Sequence, residues 1–226
     1  VSHELKTPLA SMRALVDTLL AGSYRDEQQL RDYLDLIAKE NVRLSSLIEN
    51  FLTFSRLERG KQQFRFEALE PGRVVAGAVE ALKEKLGASH CSFASQVEPG
   101  LPRICGDADA LSTVLINLLD NAYKYTDADK RISARAYADG RQVCFEIADN
   151  GIGFDQSEAK RIFDRFYQVD QSLTKQRGGC GLGLGIVQYI VRAHDGAVQV
   201  ESEPGKGSTF RVMIPQATFP QATLNA

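Results

Sequence analysis

The sequence has no tryptophan, two methionines, four cysteines and a net charge of only −2. The missing tryptophan excludes nothing, but the other shortages are informative. Cys91, Cys105, Cys144 and Cys180 form no Cys-x-x-Cys pair, and no histidine stands at metal-ligand spacing from them. That argues against a zinc site and for reduced thiols in a cytosolic protein. The near-neutral charge supplies no global basic field for nucleic acid and no cationic surface for a membrane. No apolar run is long enough to cross a bilayer, and no signal peptide opens the chain. The chain does not begin with Met. It reads as a fragment whose sensor, membrane span or linker lies upstream, and the expected setting is the cytoplasmic portion of a larger sensor. With 226 residues, one large domain or two small ones can bury a real core.

Residues 1 to about 58 read as two helices. Leu5, Leu9, Met12, Val16 and Leu19 recur at spacings of four and three, the seam of a helical bundle. Ala21-Gly22-Ser23 ends this helix, with Gly22 suited to its C-terminal cap. A second helix starts near Asp26 and carries Leu30, Leu34, Ile37, Leu44, Ile48 and Phe51, with Asn41 as the polar member of its seam. Two helices with broad apolar faces cannot bury them against each other alone. The simplest solution is a homodimer whose hairpins form a four-helix bundle, although the hairpin can instead pack on the following domain.

Arg59-Gly60-Lys61-Gln62 reads as a short linker. Beyond it the pattern predicts strands over 63–68, 92–97, 132–138, 142–148, 197–202 and 208–214, and helices over 71–86, 107–125 and 182–193. Pro71 suits a first helical turn and Asp107 a cap. Turns are expected at Asp139-Gly140 and at Pro204-Gly205-Lys206-Gly207. The stretch 154–179 carries only short helical signals. The expected fold class is α+β: a helical hairpin over 1–60, an α/β sandwich over 61–216 with a mixed, mostly antiparallel sheet and helices on one face, and a flexible tail over 217–226.

Four segments of the second domain carry chemistry. Asn117 and Asn121 are four apart and project from one helix face, where neutral amide oxygens can ligate Mg²⁺. Lys124 follows within a turn, in reach of a phosphate. Asp149-Asn150-Gly151-Ile152-Gly153 follows a strand. Its glycines allow close ligand approach, and its carboxylate can accept from an exocyclic amine such as that of adenine. Ile162-Phe163-Asp164-Arg165-Phe166-Tyr167 is an aromatic cluster with a basic residue, which also serves as a plug anchoring a loop. Gly178-Gly179-Cys180-Gly181-Leu182-Gly183-Leu184-Gly185 runs into a helix, so backbone N–H groups and a helix N-terminus are available to phosphates. No Gly-Lys-Ser/Thr follows, so this is not a Walker A loop, and the His-Arg-Asp and Asp-Phe-Gly segments of protein kinases are missing. Alone, each segment also reads as an ordinary amphipathic helix, turn, plug or flexible loop.

In this order the four resemble the N, G1, F and G2 boxes of the histidine kinase ATP-binding domain, and residues 2–8 resemble the same family's H box. The resemblance covers essentially the whole chain. It implies that Asp149 binds the adenine amino group, that Asn121 with Asn117 serves Mg²⁺, and that Lys124 serves the phosphates. Gly151 and Gly153 would line the base pocket and Tyr125 would pack near it. Phe163 to Cys180, with Arg165, would form a mobile lid, and Gly179, Cys180, Gly181, Leu182 and Gly183 the phosphate loop. Two departures stand out. Cys180 replaces the Thr or small residue usual in the lid's glycine box, and a thiol donates more weakly than a hydroxyl. Gln168 stands where the family usually has Arg after Phe-Tyr, so Arg165, Lys175 or Arg177 would have to supply that cation.

Ser2-His3-Glu4-Leu5-Lys6-Thr7-Pro8-Leu9 opens the hairpin. Glu4 adjoins His3; a carboxylate accepting from Nδ1–H would leave Nε2 as the nucleophile. Thr7 shares the face of His3, and Pro8 should bend the helix. In the family this box carries the phosphorylated His, with Glu4 as base and Thr7 positioning a dephosphorylating water. The implied activity is ATP- and Mg²⁺-dependent autophosphorylation of His3, then transfer to an Asp of a response regulator receiver domain, with a phosphatase activity also open. His194, at a helix end beside Asp195-Gly196, reads as a cation suited to the dipole, and His90 as a loop residue. The competing readings are a same-superfamily ATPase, a serine-phosphorylating anti-sigma relative, and a degenerate kinase serving as a dimeric interaction module. The first is weakened because Asn117 stands where such ATPases place a water-activating Glu.

Overall fold

The computed structural model describes residues 2–58, 63–127, 129–169 and 181–217. The Arg59–Gln62 linker and residues 218–226 of the expected tail lie outside them. Two long helices come first, α1 (Ser2–Leu20) and α2 (Glu27–Glu58). Gly22 ends the first turn region with φ of +65° and donates to the Leu19 carbonyl. Asp26 starts α2 by accepting the Gln29 N–H at 2.8 Å. Pro8 is accommodated inside α1, where it is buried. The seam residues do not all find cover within one chain: Leu9, Val16, Leu34, Ile48 and Phe51 remain exposed. Among the described residues no helix is long and apolar enough to cross a membrane.

The second part orders as β1 (Glu67–Leu69), α3 (Pro71–Ala81), α4 (Lys83–Leu86), β2 (Cys91–Val97), β3 (Ile104–Gly106) and α5 (Ala108–Tyr125). It continues with β4 (Lys130–Asp139), β5 (Gln142–Asp149), a 3-10 segment (Gln156–Phe163), α6 (Gly183–Ala193), β6 (Ala197–Glu203) and β7 (Gly207–Pro215). The main sheet has strand order β2-β4-β5-β7-β6. Only the β2–β4 pair is parallel among its described pairings, because α5 crosses over between them. A small second sheet pairs β1 with β3 antiparallel.

The core lies between the helices and one face of the main sheet. Ile132, Ala134 and Ala136 alternate inward on β4, Val143, Phe145 and Ile147 on β5, and Phe210, Val212 and Ile214 on β7. Leu111, Val114, Leu115, Leu118, Leu119 and Ala122 of α5 press on them. The opposite sheet face carries an ionic row: Arg211 bonds Glu146 at 2.8 Å and Glu201 at 2.7 Å, with Arg135 3.3 Å from Glu146.

Several expectations change in detail. The strand expected over 63–68 shrinks to Glu67–Leu69, and the helix expected over 71–86 breaks at Leu82 into α3 and α4. β3 was not anticipated; its three residues acquire strand geometry only by pairing with β1. Asp139 pairs with Gln142, so the hairpin turn is Gly140-Arg141, with the glycine at φ of +59° in the first central position. Glu203 pairs with Gly207, which leaves Pro204 to Lys206 as the other turn. His194, read as a cation suited to the helix dipole, is instead a buried ring held below its ordinary pKa, chiefly by burial.

Candidate nucleotide site and its contact with the hairpin

Asp107 caps α5 by accepting the Ala110 N–H at 3.0 Å, as its sequence position implies. The packed apolar face of α5 then fixes the polar residues of its other face. Asn117 donates through Nδ2 to the Thr113 carbonyl at 2.8 Å, and its Oδ1 faces Gly183. A Cβ on Gly183 would lie 2.8 Å from that oxygen. The first residue of α6 thus approaches the Asn117 amide as closely as only a glycine can. An amide oxygen and the N-terminus of α6 face one space, which combines a hard oxygen donor with an anion-binding helix end. Asn121 is half-buried one turn further along α5. Lys124 pairs with Asp120 at 2.5 Å, and Lys85 takes the other Asp120 oxygen at 2.7 Å. Burial raises the Asp120 pKa, but the two ammonium groups outweigh it and hold the carboxyl below its ordinary value.

The C-terminal end of α5 is sewn to the loop after β5. Ile152 N–H donates to the Tyr125 carbonyl at 3.0 Å, and a Cβ on Gly151 would run into that same carbonyl. Asp149 ends β5 and accepts the Gly151 N–H at 2.8 Å. Burial pushes its pKa up, against the opposing effect of the Gly151 and Ser208 amides. Gly153, at φ of +58°, lies against the Glu203 carbonyl.

Ser208 is a site residue that the sequence reading passed over. Its amide bonds Asp149, and its hydroxyl lies 3.0 Å from that of Ser202. The available signal was an inward position on β7 filled by a polar residue.

The aromatic segment divides in two. Phe163 is buried and belongs to the main core, so its ring serves as the plug. Arg165 and Phe166 are exposed. Phe166 has φ of +60° and donates its N–H to the Gly181 carbonyl at 3.0 Å. Gly181, at φ of +66°, returns the contact: a Cβ there would meet Phe166 Cα at 2.8 Å. Tyr167 bonds Glu158 through its hydroxyl, and Arg161 lies over its ring at 4.4 Å. Gly179 and Cys180, with Lys175 and Arg177, lie outside the described residues. Cys91, Cys105 and Cys144 are all free thiols.

Leu182, between the two glycines, is 2% exposed and pairs with Leu47 of α2, itself 6% exposed. Leu5 of α1 packs against this pair. His3 and Glu4 lie in the first turns of α1, two residues and one residue before Leu5; their side chains lie outside the described set. Thr7 is exposed.

Comparison with known proteins identifies the family of both parts of the chain. The His Kinase A (phospho-acceptor) domain matches residues 1–60. The histidine kinase-, DNA gyrase B-, and HSP90-like ATPase family matches residues 106–218. The chain is 34% identical over 222 residues to the circadian input-output histidine kinase CikA of Synechococcus elongatus, across 97% of this chain and 29% of CikA. It is 33% identical over 222 residues to the sensor-like histidine kinase SenX3 of Mycolicibacterium smegmatis, across 98% of this chain and 57% of SenX3. The solved structure of full-length ShkA in complex with AMPPNP matches with a TM-score of 0.70 and 31% identity, over 96% of this chain and 45% of ShkA. The histidine kinase AdeS of Acinetobacter baumannii shares the fold, with a TM-score of 0.72 and 23% identity over 96% of this chain and 98% of that one. The chain belongs to the histidine kinase family and comprises the phosphoacceptor and ATPase parts of its catalytic core. It spans 29% of CikA and 57% of SenX3, so it corresponds to part of each.

Proposed function

We propose that this chain binds ATP in its second part and transfers the γ-phosphoryl group to His3. The division is 1–60 for dimerisation and phosphotransfer, 61–216 for ATP binding and 217–226 as a tail. The observation that carries the reading is the packing of Leu5 against the Leu47–Leu182 pair. Leu5 follows His3 by two residues, and Leu182 lies between two glycines of the phosphate loop. That packing supports an acceptor helix adjacent to a phosphate cradle.

The roles follow from chemistry. Asp149, held by two amides, accepts from the adenine amine, while Gly151, Gly153 and Tyr125 shape the space around the base. Lys124 and the amides of Gly181, Leu182 and Gly183 receive the phosphates, joined by Gly179 and Cys180. Arg165 supplies a cation at the root of the lid, and Phe163 anchors that root. The Oδ1 of Asn117, facing the N-terminus of α6, is the kind of donor a hard cation needs, so Asn121 and Asn117 would hold Mg²⁺, whose contribution is to neutralise phosphate charge. Transfer relies on positioning and charge stabilisation. His3 Nε2 attacks the γ-phosphorus in line, an N–P bond forms, the bond to the bridging β–γ oxygen breaks, and ADP leaves. Glu4 accepts from Nδ1–H and keeps Nε2 nucleophilic.

The exposed Leu9, Val16, Leu34, Ile48 and Phe51 support a homodimer, whose four-helix bundle would cover them. The phosphoryl group then passes to an aspartate of a response regulator receiver domain, with Thr7 positioning water for the reverse function. The setting is cytoplasmic, within a larger sensor.

The test is labelling with γ-labelled ATP and Mg²⁺. Acid-labile, alkali-stable label is expected on the wild type and absent from His3→Gln and Asn121→Asp. Label persisting in His3→Gln would refute the assignment.

A further inference from the structure

His194 closes α6 and lies among three other elements. Its Nε2 accepts the Asp107 backbone N–H at 3.0 Å, and its Nδ1–H donates to the Ile190 carbonyl at 2.7 Å. One donor and one acceptor fix the ring as neutral with its proton on Nδ1. A Cβ on Gly106 would lie 2.8 Å from His194 Cδ2, so the glycine makes room for the ring. Phe64 and Phe66 pack on this imidazole at centroid distances of 5.4 and 4.9 Å. Between them, Arg65 donates its N–H to Asp107 Oδ2 at 2.8 Å, while Asp107 Oδ1 caps α5.

Three consecutive residues of the segment joining the hairpin to β1 are therefore held by two side chains of the ATPase part. Phe64 also packs against the core, but core formation does not account for Phe66, which is 49% exposed. The same helix, α6, begins at Gly183 in the phosphate cradle and ends at this anchorage.

We propose that His194 and Asp107 are positioning residues for phosphoryl transfer, acting through Phe64 to Phe66, which they moor so that the ATPase part meets the His3 helix at one height and rotation. The proposal rests on the reading of His3 as acceptor. With the segment moored, Arg59 to Gln63 are the residues left between α2 and the anchorage. If it is released, the span of sequence between α2 and the first held residue extends to Phe66, before β1. That lengthening from about 5 to about 8 residues adds roughly 10 Å of reach and lowers the effective concentration of the cradle at His3 about twofold, before any loss of orientation.

The experiment compares the wild type with Phe66→Ala, the double variant Phe64→Ala/Phe66→Ala, His194→Gln and the conservative Phe66→Tyr. Three quantities are read: the dissociation constant of a fluorescent ATP analogue, the rate of His3 labelling at saturating ATP, and the rate of tryptic cleavage after Arg65. The releasing variants should cleave faster and label at least about twofold slower at an unchanged nucleotide constant, and Phe66→Tyr should behave as wild type. A labelled wild type with Phe66→Ala and the double variant equally fast would overturn the mooring alone. An unlabelled wild type would overturn the acceptor reading itself.

Discussion

Leu182 is buried against Leu47 of α2, and this contact ties the proposed phosphate loop to the hairpin. Leu182 has a glycine on either side, so the residue that grips the hairpin and the residues proposed to hold phosphate belong to one short stretch of backbone. Engagement of the hairpin and the shape of the cradle are therefore coupled through the chain itself.

Leu47→Ala tests that coupling. Burying a leucine side chain is worth about 1.5–3 kcal/mol. Its removal should slow His3 labelling roughly 10-fold or more, while the nucleotide constant and the melting of the ATPase part stay unchanged. An equal labelling rate would show the contact to be incidental.

Gly183→Ala places a methyl group 2.8 Å from Asn117 Oδ1. Displacing a hydrogen bond or ligand contact to a charged group forfeits about 1.5–3 kcal/mol. ATP affinity should fall by roughly one to two orders of magnitude, with an unchanged circular dichroism spectrum. Titration calorimetry reads the first outcome directly, and undiminished affinity would separate Gly183 from the phosphate site.

Asp149→Asn keeps the size of the side chain but removes a charged acceptor that two amides hold in place. The expected loss is about 1.5–3 kcal/mol for ATP. Binding of GTP, which lacks the adenine amine, should change much less. A parallel loss for both nucleotides would mean that Asp149 supports the loop and does not read the base.

The pH dependence of stability should carry a signature of His194. Burial lowers its folded pKa below 6.5, against the Ile190 carbonyl and the facing carboxylates of Asp107 and Asp195. The unfolded chain then binds more protons than the folded one between the folded value and 6.5, so stability rises with pH through that window and falls as the solution is acidified. Urea unfolding from pH 7.5 down to 5.5 should show a decline that is smaller in His194→Gln. Asp107 adds a separate decline at lower pH. Burial raises its pKa, but the amides of Arg65, Ala110 and Asp109 outweigh this and hold it below 3.8, so its contribution disappears as pH falls through the folded value.

Much of the architecture was legible because it is locally encoded. Asp107 announces α5, the 3.6-residue spacing of its leucines predicts its buried face, and the glycine clusters mark both loops. What escaped the sequence depends on partners far along the chain. β3 exists because Glu67 to Leu69 pair with it. Phe64, Phe66 and Ala68 alternate as a strand would, yet the first two pack on the His194 imidazole and Arg65 between them bonds the Asp107 carboxylate, with no backbone ladder. The Ser208 amide on β7 reaches Asp149 on the neighbouring β5, and His194 is packed by Phe64 and Phe66 from far along the chain. No window of a dozen residues contains either fact.

The bond between Phe166 and Gly181 has a corollary for chain length. It joins two residues fifteen apart in sequence through one backbone hydrogen bond. For a loop closed in this way, each doubling of length costs only about 0.6 kcal/mol. A change in length between the two bonded ends should therefore weigh little on folding.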